Sequence, residues 1–288
     1  MQRPIGNSGL TVNAIGLGAM PLSIDGRPDE SRAINVIHRA LDCGMTLIDT
    51  ADVYCLNQDD IGHNERLIAK ALRFWNGDKD KLVIATKGGL LRPQGDWIRN
   101  ADPKHLQSAC EASLRALSVE SIQLYQLHAP DPQISFEASV EQLAKLQEQG
   151  KVQHIGLSNV TVEEIEQARN IVPIVSVQNR CNPSDLSAFE MGIVDYCTEN
   201  NIAMIPYSPV GGRFGKGLVE ENTALREVAK IYNLHPFQMA LAWLLAKSPV
   251  MIPIPGATRL ESVESSAAVM DANIEQEHVK QLDDAFGL

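Results

Sequence analysis

Leu47-Ile48-Asp49-Thr50-Ala51-Asp52-Val53-Tyr54 opens as a short apolar run behind the turn residue Gly44 and then becomes polar. A buried strand has this pattern where it surfaces at one end of a parallel barrel. The stretch delivers a carboxylate, Asp49, and a phenol, Tyr54, to one mouth. Two later runs end the same way: Leu82–Thr86 leads into Lys87, and Ile122–Leu127 leads into His128. An acid, a phenol, an amine and an imidazole thus fall at strand ends, where closed parallel barrels keep their active sites.

Outward from that stretch, strand and helix alternate. Upstream, Gly6-Asn7-Ser8-Gly9 is a turn signature and predicts a small hairpin plugging the barrel floor. A strand over Val12–Gly16 and a helix from about Asp29 to Asp42 follow. The next strands are expected at Thr46–Asp49, Leu82–Thr86, Ile122–Leu127, Val152–Leu157, Ile174–Gln178, Ala203–Pro206 and Val250–Ile254. Helices are expected at about Asn64–Phe74, Pro103–Leu117, Phe136–Gln149, Val162–Asn170, Ala188–Asn200, Ala224–Tyr232 and Pro236–Ala246. Two more, near Leu260–Met270 and Glu275–Phe286, finish the chain. Asp102 with Pro103, and Thr161 with Glu164, carry helix-start chemistry, and Gly150 carries a stop. Such alternation implies parallel strands with right-handed crossovers. Eight units within 288 residues predict an α/β fold, a (β/α)8 TIM barrel forming one domain over 1–288, with the hairpin plug and two extra helices. The rival is an open doubly wound sheet. Its Gly-x-Gly-x-x-Gly turn is incomplete here, because Gly16-Leu17-Gly18-Ala19-Met20-Pro21 lacks the third glycine.

Hydrophobic residues make up 44% of the chain and charged residues 21%, an ordinary globular balance. A formal net charge of −11 disfavours nucleic acid and anionic membrane as partners. Met1 leads into a polar segment, so no secretory signal is expected, and no apolar run is long enough to span a bilayer. Cys43, Cys55, Cys110, Cys181 and Cys197 are odd in number and scattered. They read as reduced thiols of a cytoplasmic protein, not as a disulfide frame or metal site.

The ordered set Asp49-Thr50-Ala51-x-x-Tyr54, Thr86-Lys87-Gly88, Leu124-Tyr125-Gln126-Leu127-His128 and Ile155-Gly156-Leu157-Ser158-Asn159 resembles the aldo-keto reductase family. The likeness continues through Val177-Gln178-Asn179, Pro206-Tyr207-Ser208-Pro209-Val210-Gly211-Gly212 and Ile252-Pro253-Ile254-Pro255-Gly256-Ala257, over nearly the whole chain. It is similar to the bacterial, plant and channel-subunit branches. The resemblance implies reduction of small aldehydes and ketones by NADPH, with Tyr54 as proton donor and no metal. A phenol with an ordinary pKa near 10 keeps its proton at neutral pH and can give it to a developing alkoxide. A cationic Lys87 would stabilise the phenolate, Asp49 would hold the ammonium, and His128 would orient the carbonyl oxygen. Trp97 stands where an aromatic could wall the substrate pocket beside Tyr54 and His128.

For the cofactor, the resemblance implies that Ser158, Asn159 and Gln178 hold the nicotinamide carboxamide and that Tyr207 stacks under the ring. Gly18, Ala19, Met20 and Asp49 would border the same groove. Ser208, Pro209, Val210, Gly211 and Gly212, with Gly256, Ala257, Thr258 and Arg259, follow the last two barrel strands, where such barrels bind phosphate. Arg259 is the candidate for the 2′-phosphate, because guanidinium pairs with phosphate through two bonds. The chain departs from the family at Ser265 and Ser266, where relatives often place Glu-Asn for adenine, and at Ser262, where many place a basic residue. Gly211–Glu221 reads as a fairly short loop, consistent with an open substrate pocket. The expected form is a monomer or weak homo-oligomer. Two other readings stay open: a Schiff-base aldolase using Lys87, and a non-catalytic regulatory barrel that binds NADP(H).

Overall fold

The computed structural model describes the backbone of residues 1–288 and the side chains of all but 213 and 214. Its strands in chain order are β1 (Gln2–Pro4), β2 (Thr11–Asn13), β3 (Leu17–Gly18), β4 (Leu47–Asp49), β5 (Val83–Gly88), β6 (Leu90–Leu91), β7 (Ile98–Arg99), β8 (Ile122–Leu127), β9 (Val152–Ser158), β10 (Ile174–Gln178) and β11 (Ala203–Met204). The helices are α1 (Glu30–Asp42), α2 (His63–Phe74), α3 (Pro103–Leu117), α4 (Phe136–Glu148), α5 (Val162–Arg169), α6 (Ser187–Glu190), α7 (Ile193–Glu199), α8 (Gly212–Glu221), α9 (Thr223–Ile231), α10 (Pro236–Lys247), α11 (Leu260–Ala267) and α12 (Gln276–Phe286).

Seven parallel strands pair in the order β11-β10-β9-β8-β5-β4-β3. The segment 250–256 completes the ring through the parallel bridges Met204–Met251, Tyr207–Ile254 and Gly18–Gly256. It appears as bridges because Pro253 and Pro255 have no N–H to donate; their carbonyls still accept from Gly16 and Gly18. The result is the (β/α)8 barrel. Closure needs Gly18, since a Cβ there would lie 2.7 Å from the Ile254 carbonyl oxygen.

Side chains alternate between barrel lumen and helix layer. Leu47, Val83, Ala85, Leu124, Val175, Ala203, Ile205, Ile252 and Ile254 form a lumen cluster, which Ile5 and Val12 of the β1–β2 hairpin plug from below. Ile48, Tyr125, Leu127, Ile155 and Leu157 belong to the larger outer core under the helices. Asp102 caps α3, Ser135 caps α4 and Thr161–Glu164 form a capping box on α5, as their side chains predict.

Four boundaries differ from expectation. Thr11–Asn13 is the return strand of the plug, paired with Gln2–Pro4, and the first barrel strand is Leu17–Gly18. The expected helix at 188–200 is two helices, divided at Gly192, which adopts φ +69°. Gly211–Glu221 is not a loop: residues 212–221 are helical. A small antiparallel ribbon, β6 with β7, has no counterpart among the expected strands and carries the Trp97 loop to the barrel mouth.

Candidate active site

The lumen-facing positions of β4, β5 and β8 run Leu47-Asp49, Val83-Ala85-Lys87 and Leu124-Gln126 in steps of two. They change from apolar to polar at the C-terminal end. Pairing sets Asp49 beside Ala85 and Lys87 beside Gln126. The fully buried Lys87 Nζ donates to Asp49 Oδ1 at 2.8 Å, to Asp49 Oδ2 at 2.7 Å and to the Thr50 carbonyl at 2.8 Å. Tyr54 Oη lies 3.0 Å from the same ammonium. Asp49 Oδ1 also accepts from Gln178 Nε2 at 2.7 Å and, more loosely, from Gln126 Nε2 at 3.4 Å.

Burial pushes the Lys87 pKa down, and the Asp49 carboxylate opposes that shift. Burial, with Asp49 next, pushes the Tyr54 pKa well up, so the phenol holds its proton. The His128 ring stands 5.7 Å from the Tyr54 ring, edge to face. Burial and the Lys87 charge hold its pKa well below the usual histidine range, so the imidazole is neutral. His128 Nδ1 is buried without a hydrogen-bond partner among the described residues. Trp97 completes an aromatic wall, 6.2 Å from Tyr54 and 6.4 Å from His128 between ring centroids. The Arg92 guanidinium stacks 3.7 Å from the Trp97 ring centre and donates to the Cys55 carbonyl.

The residues expected around a nicotinamide also adjoin. Tyr207 Oη donates to Asn159 Oδ1 at 2.8 Å, and Asn159 Nδ2 donates to the His128 carbonyl at 2.9 Å. Ser158 Oγ donates to the Gln178 carbonyl at 2.7 Å. Asn159 at φ +58° and Ser208 at φ +51° adopt left-handed backbone that non-glycine residues rarely take. Such conformations cluster at functional sites. Gly18-Ala19-Met20 borders β4, with the Ala19 N–H donating to the Asp49 carbonyl at 2.9 Å. Gly211 and Arg259 stand as N-caps of α8 and α11, and neither helix start has a side-chain cap among the described residues. Pro209 and Val210 lead into the first of these starts, and Gly256, Ala257 and Thr258 into the second. Arg259 borders a shallow cavity of about 410 Å³ with Arg32, Asn35 and Glu261. Ser262, Ser265 and Ser266 lie half-buried on α11. The tetrad therefore converges in one mouth, while Arg259 and the α11 serines stand on the rim.

Gln126 and Arg92 were not among the expected site residues. Gln126 was legible from its place two residues before His128, on the inward parity. Arg92 was not, because only the folded ribbon brings it to Trp97.

Fold and site together define a barrel oxidoreductase. The chain belongs to the aldo/keto reductase family, whose model matches residues 14–286. An uncharacterized oxidoreductase of Schizosaccharomyces pombe is 34% identical over 280 residues, covering 96% of this chain and 87% of that protein. A probable aldo-keto reductase of Glycine max is 33% identical over 312 residues, covering 98% and 87%. The crystal structure of a thermostable aldo-keto reductase in complex with the inhibitor epalrestat superposes with a TM-score of 0.85 at 28% identity, covering 99% of both chains. The family uses nicotinamide cofactors. Among the described residues, no helix is long and apolar enough to cross a membrane.

Proposed function

We propose that the protein reduces small aldehydes and ketones to alcohols with NADPH, using Tyr54 as general acid. The observation that carries this is the 3.0 Å contact between Tyr54 Oη and a Lys87 ammonium chelated by Asp49. Held beside Ser158, Asn159, Gln178 and Tyr207, the nicotinamide of NADPH would supply the hydride for the carbonyl carbon. Tyr54 gives its Oη proton to the carbonyl oxygen, and the phenolate left behind faces the Lys87 charge. Neutral His128 holds that oxygen by hydrogen bond, and Trp97 walls the apolar side of the carbonyl.

The residues present fit the cofactor. Gln178 spends its Nε2 on Asp49, while its Oε1 accepts from no described residue and is open to a carboxamide N–H. Asn159 and Ser158 border the same spot, and Tyr207 offers its ring face to the nicotinamide. The free helix starts and the Arg259 guanidinium suit phosphates, which favours NADPH over NADH. A lysine nucleophile fits less well: Nζ is fully buried and has all its protons engaged. The free thiols accord with a cytoplasmic, reducing location.

The test is NADPH oxidation followed by absorbance against a panel of aldehydes, ketones and sugars, with Tyr54→Phe alongside. The variant should lose about 10²–10⁴-fold in turnover while NADPH binding persists. An unchanged rate in Tyr54→Phe would remove the phenol from the chemistry.

A further inference from the structure

The first turn of α2 contributes two consecutive polar residues that are almost wholly buried, Asn64 at 0% and Glu65 at 1% exposure. Polar side chains at a helix start usually face water or cap their own helix. These two reach across to the outer face of the barrel strands instead. Asn64 Oδ1 accepts from Thr50 Oγ1 at 2.6 Å. Asn64 Nδ2 donates to the Ala19 carbonyl at 2.9 Å and to Ser23 Oγ at 2.7 Å. Glu65 Oε1 accepts from Thr86 Oγ1 at 2.6 Å.

The partners give the arrangement its meaning. Thr50 follows Asp49, and its carbonyl accepts from Lys87 Nζ at 2.8 Å. Thr86 immediately precedes Lys87. Ala19 belongs to the Gly18–Met20 loop beside the cofactor groove, and its N–H donates to the Asp49 carbonyl at 2.9 Å. One amide therefore ties the cofactor loop to the strand bearing Asp49, and the neighbouring carboxyl ties α2 to the strand bearing Lys87. Burying this many polar groups costs more than an apolar packing of the same volume would. The hydrogen bonds from Asn64 go to the two segments that flank the tetrad and to the turn at Ser23, and none goes to α2 itself.

We infer that Asn64 and Glu65 are positioning residues for the reduction: Asn64 sets the cofactor loop against the Asp49 strand, and Glu65 fixes the direction of Lys87 toward Tyr54. The inference rests on the reductase reading of the site. Neither residue touches substrate or cofactor; each acts through a threonine, and Asn64 also through Ala19. A glutamine has nearly the shape and volume of Glu65 and keeps an acceptor oxygen for Thr86 Oγ1.

The experiment is steady-state kinetics with NADPH and an aldehyde on Asn64→Leu, Glu65→Leu and Glu65→Gln, with thermal midpoints measured in parallel. Asn64→Leu should raise KM for NADPH and lower kcat, each by about tenfold or more, because misplacement of under an ångström is enough to do so. Glu65→Leu should lower kcat by a similar factor with KM for NADPH unchanged, and Glu65→Gln should restore it by accepting from Thr86. A purely structural role would lower the thermal midpoint and leave KM and kcat of the folded fraction as in the wild type, which overturns the inference. If Asn64→Leu does not fold, Thr50→Val and Ser23→Ala remove its partners one oxygen at a time. Wild-type constants in both of those variants overturn it equally. Should the wild type oxidise no NADPH with any carbonyl, the reductase reading falls by itself. The Asn64 arm is then read by NADP⁺ binding: weakened binding in Asn64→Leu supports the tie to the cofactor loop, and unchanged binding ends it.

Discussion

His128 has a buried Nδ1 with no partner among the described residues and an imidazole kept neutral by burial and by Lys87. The folded-state pKa therefore lies below the unfolded value of about 6.5. Stability contributed by the neutral ring is complete above that value and is lost as pH falls below it. For activity, the expectation is a kcat/KM for carbonyl reduction with no inflection near pH 6.5, since Tyr54 also keeps its proton through this range. A pH–rate profile bending at 6.5 and abolished in His128→Gln would contradict the neutral ring. At the rim, Arg259 is exposed, and the proposed function makes a cofactor phosphate its partner. Charge-assisted hydrogen bonds are worth roughly 1.5–3 kcal/mol. Arg259→Ala should thus raise the Kd for NADPH about 10- to 100-fold and leave that for NADH nearly unchanged; equal losses in fluorescence titrations would reject the assignment. The tetrad was legible in the sequence because Asp49, Lys87 and His128 end three apolar runs at the same parity. Asn64 was not, because nothing in a helix-start asparagine reveals that its partners lie on a strand fourteen residues earlier and a loop forty-five residues earlier.

The β1–β2 hairpin shows what an element of this barrel is tied by. Ile5 and Val12 fill the lumen floor, and a Cβ at Gly6 would sit 2.4 Å from the Val175 carbonyl oxygen. The buried Arg3 guanidinium donates to the carbonyls of Leu245, Ser248 and Met251, joining the first strand to the end of α10 and the closing segment. Its pKa is pushed down by burial to about 10, yet it stays charged at neutral pH. Arg3→Ala leaves three carbonyls unpaired and should cost roughly 2–4 kcal/mol, read as a lower urea midpoint with an unchanged slope. A midpoint within error of the wild type would show that the plug is held by apolar packing alone. Elements long enough to show periodicity were legible, including the capped helices α3, α4 and α5. The two-residue strand β3 shows no period, so the apolar pattern points to Val12–Gly16 as the first barrel strand where pairing places Leu17–Gly18. The helix α8 was hidden by Gly212, Gly215 and Gly217, each of which disfavours helix by about 1 kcal/mol. Tertiary packing offsets that cost: Val219 is buried in the outer core, and Lys216 lies over the Phe237 ring of α10.

Closure of the whole barrel can be read through its thiols. Cys43 is half-buried, whereas Cys55, Cys110, Cys181 and Cys197 are buried at four separate places around the molecule. Burial pushes Cys55 up to about 11 and the other three up to about 12. The thiolate is the reactive form, so at pH 8 these four are protected both by packing and by protonation. Cys110 faces the core from α3, Cys197 from α7, and Cys181 lies just past β10, so no single local opening exposes all of them. The native protein should therefore show one fast thiol toward Ellman's reagent, and all five after unfolding in guanidinium. The four slow thiols should share a single rate if they are released by cooperative opening of the ring. A nucleotide that binds only the folded barrel, supplied at about 100 times its Kd, stabilises it by about 2.7 kcal/mol. NADP⁺ at that excess should then slow all four together by about a hundredfold and leave Cys43 unaffected. Four distinct rates, or slowing confined to Cys55 beside Tyr54, would mean that the sectors of the barrel open independently and that the bridges at 250–256 do not bind them into one cooperative ring.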